Sequence, residues 1–267
     1  MTTSSSFPSN GIRLAYQVRG RGDPLVLIMG LGADGSVWEQ HVLEYERHFQ
    51  CYLVDNRGSG SSDKPPGPYT TAMMADDYAG LITGLGLEQV RVAGISMGGA
   101  IAQQLALRHP KLVRSMVLAC TWARCDAYAA WVFDHFAAIR PQVPPGEFMR
   151  LLQLWIWSPA YVESHLADLR DAQVEAATGT PMPAHAFTAQ CQACTAHDTT
   201  SQLSAIRTPT LITVGDRDIF TPMSHSLQLH AGISTARLEV FPGTGHAHHW
   251  EALAAFNAAT IRWLTAN

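Results

Sequence analysis

Val90-Arg91-Val92-Ala93-Gly94-Ile95-Ser96-Met97-Gly98-Gly99 carries an apolar strand pattern straight into a G-x-S-x-G turn and on into a helical pattern. A serine squeezed between a strand and a helix needs a strained backbone, and glycines two residues before and after it leave room that any Cβ would fill. The helix expected from Met97 to His109 aims its amide-rich N-terminus at the Ser96 hydroxyl, where negative charge would develop in acyl transfer. Pro110 ends it.

On the N-terminal side, the alternation Ile12, Leu14, Tyr16, Val18 after an Asn10-Gly11 turn reads as a half-exposed edge strand. Leu25 to Met29 is a continuous apolar run, expected of a strand buried on both faces. It ends in Gly30-Leu31-Gly32, a loop leading to a helix from about Trp38 to Phe49, and its amides would sit at the C-terminal edge of a sheet. Cys51 to Val54 is the next strand. It runs into Asp55 to Ser62, a turn-rich stretch whose Asp55 and Arg57 are expected to hold the loop rather than to react. A helix from about Thr71 to Leu85 delivers the chain to the Ser96 strand.

On the C-terminal side, Val113 to Cys120 is another strand, after which the alternation lapses. From Trp122 to Ile206 no strand pattern is convincing, aromatics crowd the segment and prolines break it into short helices. This predicts a helical cap over the sheet edge, with Trp122, Trp131, Trp155 and Trp157 as candidate pocket residues. Strands return at Thr210 to Val214 and Arg237 to Phe241, with a helix from near Pro222 between them and a closing helix from about Trp250 to Leu264. The expected division is core 1–121, cap 122–206 and core 207–267. Strands alternating with helices predict an α/β fold, a mostly parallel sheet with helices on both faces.

A serine hydroxyl needs a base, and the base needs a third group to fix its tautomer and stabilise its charge. Asp218 lies in the loop after one strand and His246 in the loop after the next, so both should emerge at the edge that carries Ser96. The order Ser, acid, His suits this architecture.

With Gly30-Leu31-Gly32, Asp55-x-Arg57-Gly58-x-Gly60-x-Ser62, Gly94-Ile95-Ser96-Met97-Gly98-Gly99, Gly215-x-x-Asp218-x-x-x-Pro222 and Gly245-His246, the chain resembles the α/β-hydrolase fold family over essentially its whole length. The likeness is to the esterase, enol-lactonase and cofactor-free haloperoxidase branch. It implies an eight-stranded sheet with a cap after the sixth strand, a Ser96–Asp218–His246 triad, and oxyanion amides from Leu31 and Met97. Asp216 and Asp55 become decoys, and His248 and His249 would cover the start of the last helix. One departure is Met29-Gly30, where the family often has His-Gly; the Leu31 amide survives, but the loop's side-chain hydrogen bonding does not. The implied activity is hydrolysis of a carboxylic ester or lactone through an acyl-enzyme, with no metal or cofactor. Carbon–carbon bond hydrolysis and perhydrolysis use the same triad, and a small-molecule receptor is the reading from outside enzymes.

The 267 residues are 47% hydrophobic and 15% charged, with a formal net charge of −4, which excludes a disordered chain and argues against nucleic acid as partner. Five cysteines make an odd count that favours a reducing compartment, and Cys191-x-x-Cys194 lacks the second pair a zinc site needs. The stretch Met1 to Asn10 has no leader pattern, and no apolar run reaches the ~18 residues of a membrane span. A cytoplasmic protein acting on a small ester or lactone is expected, without membrane contact and with a homodimer left open.

Overall fold

The computed structural model describes residues 5–267; the first four, part of the stretch read above for a leader, lie outside the described residues. Eight strands form one sheet: β1 (Ser5–Ser9), β2 (Ile12–Gly20), β3 (Pro24–Ile28), β4 (Gln50–Val54), β5 (Val90–Ile95), β6 (Val113–Ala119), β7 (Thr210–Gly215) and β8 (Ala236–Phe241). Their order is β1-β2-β4-β3-β5-β6-β7-β8. Only the β1–β2 and β2–β4 pairs are antiparallel, and the rest of the sheet is parallel.

β2 is not the edge strand its alternation suggested. Asn10 and Gly11 both take positive φ, +46° and +78°, as a tight hairpin turn requires, and fold Ser5–Ser9 back as the outer strand. That segment, Ser-Ser-Phe-Pro-Ser, has too little apolar pattern to announce a strand, and its Pro8 is tolerated there because an edge leaves one N–H side unpaired.

The helices are α1 (Glu39–Tyr45), α2 (Thr71–Gly84), α3 (Met97–Arg108), α4 (Ala127–Ile139), α5 (Pro145–Ile156), α6 (Pro159–Ser164), α7 (Leu166–Thr178), α8 (Ala184–Thr195), α9 (Met223–Gly232), α10 (His248–Glu251) and α11 (Leu253–Ala266). Because successive residues of a strand face opposite ways, β3 splits its side chains between two cores. Val26 and Ile28 pack with Tyr78, Leu81 and Ile82 of α2 and Ile101 and Leu105 of α3. Leu25 and Leu27 pack with Val42 and Tyr45 of α1 and Phe256 and Leu264 of α11. Both sets are buried, and each such side chain contributes about 1.5–3 kcal/mol. Helices α4 to α8 all fall between β6 and β7 as a cap inserted after the sixth strand. No helix among the described residues is long and apolar enough to cross a membrane.

Candidate active site

Ser96 sits between β5 and α3 at φ +56° and ψ −118°, a conformation a side chain rarely adopts. Two close approaches make the turn possible. A Cβ on Gly94 would run into the Gly98 carbonyl and lie 2.8 Å from the Gly99 nitrogen, and one on Gly98 would overlap the Ile28 carbonyl of β3. Gly98 therefore brings the end of β3 against the turn. An ideal Cβ on Gly30 would lie 3.1 Å from the Ser96 Cβ and 3.7 Å from its Oγ, so the loop carrying Leu31 begins beside the serine. At the head of α3 the Gly99 and Ala100 amides close on the Ser96 carbonyl. Neither the Met97 amide nor the Leu31 amide has an acceptor among the described residues. These are the two donors expected of an oxyanion hole.

His246 and Asp218 meet directly: Nδ1 lies 2.8 Å from Asp218 Oδ2. Asp218 is itself fixed, its Oδ1 accepting the Phe220 and Thr221 amides at 2.8 Å each. Thr221 Oγ1 stands 2.9 Å from Asp218 Oδ2, 3.0 Å from His246 Nδ1 and 3.0 Å from the Cys120 carbonyl. The residue before Cys120, Ala119, accepts the Ser96 amide at 2.8 Å. A chain of hydrogen bonds thus ties the ends of β5, β6, β7 and β8 to one place. Burial alone would depress the His246 pKa, but the Asp218 carboxylate and the Cys120 side chain outweigh it and hold the imidazole well above its usual value.

Asp216 and Asp55 have other partners. Asp216 is exposed and accepts the Gly243 amide at 2.7 Å, and Asp55 accepts the Gly35 and Ser61 amides at 2.9 and 2.7 Å. Arg57 makes a two-pronged ion pair with Asp77. His248 and His249 are buried where the closing helices begin, and both rings lie against Phe256 in the first turn of α11, with centroids 5.6 and 5.9 Å from it. His248 bonds Thr213 at 3.0 Å, and His249 meets His41 at 3.1 Å, whose other nitrogen meets Asn257 at 2.7 Å.

The four candidate pocket tryptophans divide. Trp122 is fully buried against Phe133, ring centroids 5.4 Å apart, and Phe133 leads to Phe220, which stands 4.9 Å from the His246 ring. Trp155, half-buried, meets the same Phe220 and Phe136 edge-on. Trp131, by contrast, is 78% exposed, and Trp157 stacks on Tyr161. The structure does not bring these two into the chain of rings that reaches His246. Cys191 and Cys194 are buried on α8, and among the described residues no group of three or more His, Cys, Asp or Glu side chains is placed to hold a metal.

Three side chains at the site had no sequence reading. Phe220 lies inside the Asp218–Pro222 loop, where an apolar residue between acid and proline could have been noticed. Gln190 on α8 and Glu251 on α10 gave no local signal. Glu251 accepts the Gly245 and Ser158 amides, each at 2.9 Å, and so joins the His246 loop to the start of α6.

The sequence profile of the alpha/beta hydrolase fold matches residues 23–253. A Caulobacter protein provisionally named carbamate hydrolase RutD is 30% identical over 242 residues, covering 90% of each chain. The solved enol-lactonase from Burkholderia xenovorans LB400 superposes with a TM-score of 0.89 at 25% identity, covering 98% of this chain and all of that one. A thermophilic esterase from Thermogutta terrifontis does so with a TM-score of 0.86 at 26% identity, covering 99% and 98%. By profile, relatives and superposed fold alike, the chain belongs to the alpha/beta hydrolase family and is a hydrolase.

Proposed function

We propose that the protein is a serine hydrolase that cleaves a small carboxylic ester or lactone through an acyl-enzyme. The observation that carries this is the His246–Asp218 pair at 2.8 Å, at the strand ends where Ser96 is held in a strained turn beside two amides without acceptors. In this reading Ser96 Oγ bonds to the carbonyl carbon as His246 takes its proton, and the Leu31 and Met97 amides receive the oxyanion. The bond to the alcohol then breaks, the alkoxide takes the proton from His246, and water releases the acid by the same steps in reverse. Domain 122–206 would act as the lid. A carbamate is the second reading, favoured by the name of the Caulobacter relative.

The test is a panel of p-nitrophenyl esters of increasing acyl length, a lactone set and a p-nitrophenyl carbamate, alongside fluorophosphonate labelling. Burst kinetics on an ester and labelling at Ser96 support the reading, and modification of a different serine overturns it. Asp218→Asn is expected to lower turnover by about 10⁴-fold, because an amide neither holds the imidazole tautomer nor stabilises imidazolium. Asp216→Asn should leave turnover nearly unchanged. Catalysis needs neutral His246, so the rising limb of the pH–rate profile should lie above the ordinary ~6.5 of histidine, and Asp218→Asn should move it down. A wild-type limb below pH 6 counts against this assignment.

The aromatic wall limits the acyl group. Trp155→Ala should shift the preferred acyl chain toward longer substrates, with each added methylene worth about 0.8 kcal/mol until the new space is full. Trp157→Ala, outside the wall, should leave the profile unmoved. Equal profiles for both variants would remove Trp155 from the pocket.

A further inference from the structure

The loop after β3 runs Met29-Gly30-Leu31-Gly32, and Leu31 is enclosed by a ring of hydrogen bonds. On one side Asn56 Nδ2 donates to the Met29 carbonyl at 2.7 Å, and Tyr78 donates to Asn56 Oδ1 at 2.8 Å. On the other side the Gly32 amide donates to Gln190 Oε1 at 2.9 Å. Gln190 Nε2 in turn donates to the Arg57 carbonyl at 2.8 Å and to Ser59 Oγ at 3.0 Å, in the loop that also supplies Asn56. The Leu31 peptide is thus pinned at the residue before Gly30 and at the residue after itself.

The two pins differ in origin. Asn56 belongs to the core, whereas Gln190 belongs to α8 of the cap and is completely buried. Its amide has a fixed orientation here, since the oxygen must face an N–H and the nitrogen must face a carbonyl. Phe187, one turn earlier on α8, has a ring carbon 2.9 Å from where a Cβ on Gly32 would be, so α8 packs directly on this side of the loop. We propose that Gln190 is a positioning residue through which the cap sets the direction of the Leu31 N–H, so that the oxyanion hole is complete only with the cap seated. A donor that must already point at the developing charge works only if it is held there beforehand, and misdirection by a fraction of an ångström is felt in the transition state rather than in substrate binding.

This rests on the triad reading, and the experiment separates the two. Gln190→Met fills the same space without an acceptor for Gly32. Its kcat for a p-nitrophenyl ester should fall about tenfold or more with KM within twofold of wild type. The rate at which a fluorophosphonate modifies Ser96 should fall by a similar factor, because the phosphonyl oxygen uses the same amides. Should Gln190→Met not fold, Gln190→Asn, which keeps the amide but withdraws it by one methylene, is read the same way. Unchanged kcat and labelling rate overturn the proposal and leave the triad standing, and so does a raised KM with kcat intact. A wild-type protein whose Ser96 is not labelled overturns the triad reading, and the role of Gln190 falls with it.

Discussion

Ser96→Ala is expected to lower turnover by about 10⁵-fold or more while the fold and its thermal midpoint stay close to those of the wild type. The size follows from the proposed mechanism, in which nucleophile, base and acid act as a unit: with no oxygen to attack, His246 and Asp218 would have nothing to activate, and only binding and the oxyanion amides would remain. The stability side follows from the turn. Ser96 Oγ makes no hydrogen bond to the protein among the described residues, so its loss leaves no partner stranded, and alanine has the same Cβ cost at φ +56° that serine already carries. The check is single-turnover release of p-nitrophenol together with a melting curve. Turnover within tenfold of wild type would move the nucleophile elsewhere.

Acid is expected to unfold the protein well before its carboxylates are neutralised. Burial holds His41, His197 and His248 at a pKa of about 4, and His249 is pushed well below its ordinary value for the same reason. In the unfolded chain each returns to about 6.5. Between those limits the unfolded state binds protons that the native state refuses, so each group removes about 1.4 kcal/mol per pH unit. Four together remove about 5 kcal/mol per unit once the pH is clearly below 6.5, against a total stability of about 5–15 kcal/mol for a typical domain. His246 does not offset this slope. Its native pKa is raised, so its contribution is fully present below 6.5 and is lost as the pH rises through the native value. Urea midpoints measured at pH 7 and pH 5 should therefore differ sharply, with a cooperative acid transition within about two units below 6.5. Equal midpoints would mean that these histidines are protonated inside the fold.

Much of the architecture was legible because it is encoded locally. The β5–turn–α3 unit is specified by an apolar run and two glycines within ten residues, the Asp218 loop follows the β-branched and aliphatic run of β7, and the His246 loop follows a strand in which Leu238 and Val240 alternate with Arg237 and Glu239. What escaped depends on partners far along the chain. Gln190 and Gly32 are 158 positions apart, and Glu251 and Ser158 are 93 apart. A glutamine on a cap helix or a glutamate on a short one has no neighbour in sequence that betrays such a bond. Trp131 is a different case. The buried stripe of α4 is Ala129, Val132, Phe133 and Phe136, and spacing of that kind places residue 131 off the stripe. Counting aromatics without phasing them put Trp131 in the pocket. The histidines at 248 and 249 do lie at the start of the closing helices, but nothing in the sequence says that His41, more than 200 positions earlier, meets His249.

The carboxylate of Glu251 gives the molecule a mechanical property. One of its oxygens holds both the Gly245 N–H, immediately before His246, and the Ser158 N–H at the root of α6, and the Ala247 amide adds a bond to the Ile156 carbonyl. A hinge at this root would have the imidazole's own loop as its other leaf. A displacement of α6 at its root would therefore be carried through one carboxylate to the residue immediately before His246, so the two loops are coupled as a single mechanical unit.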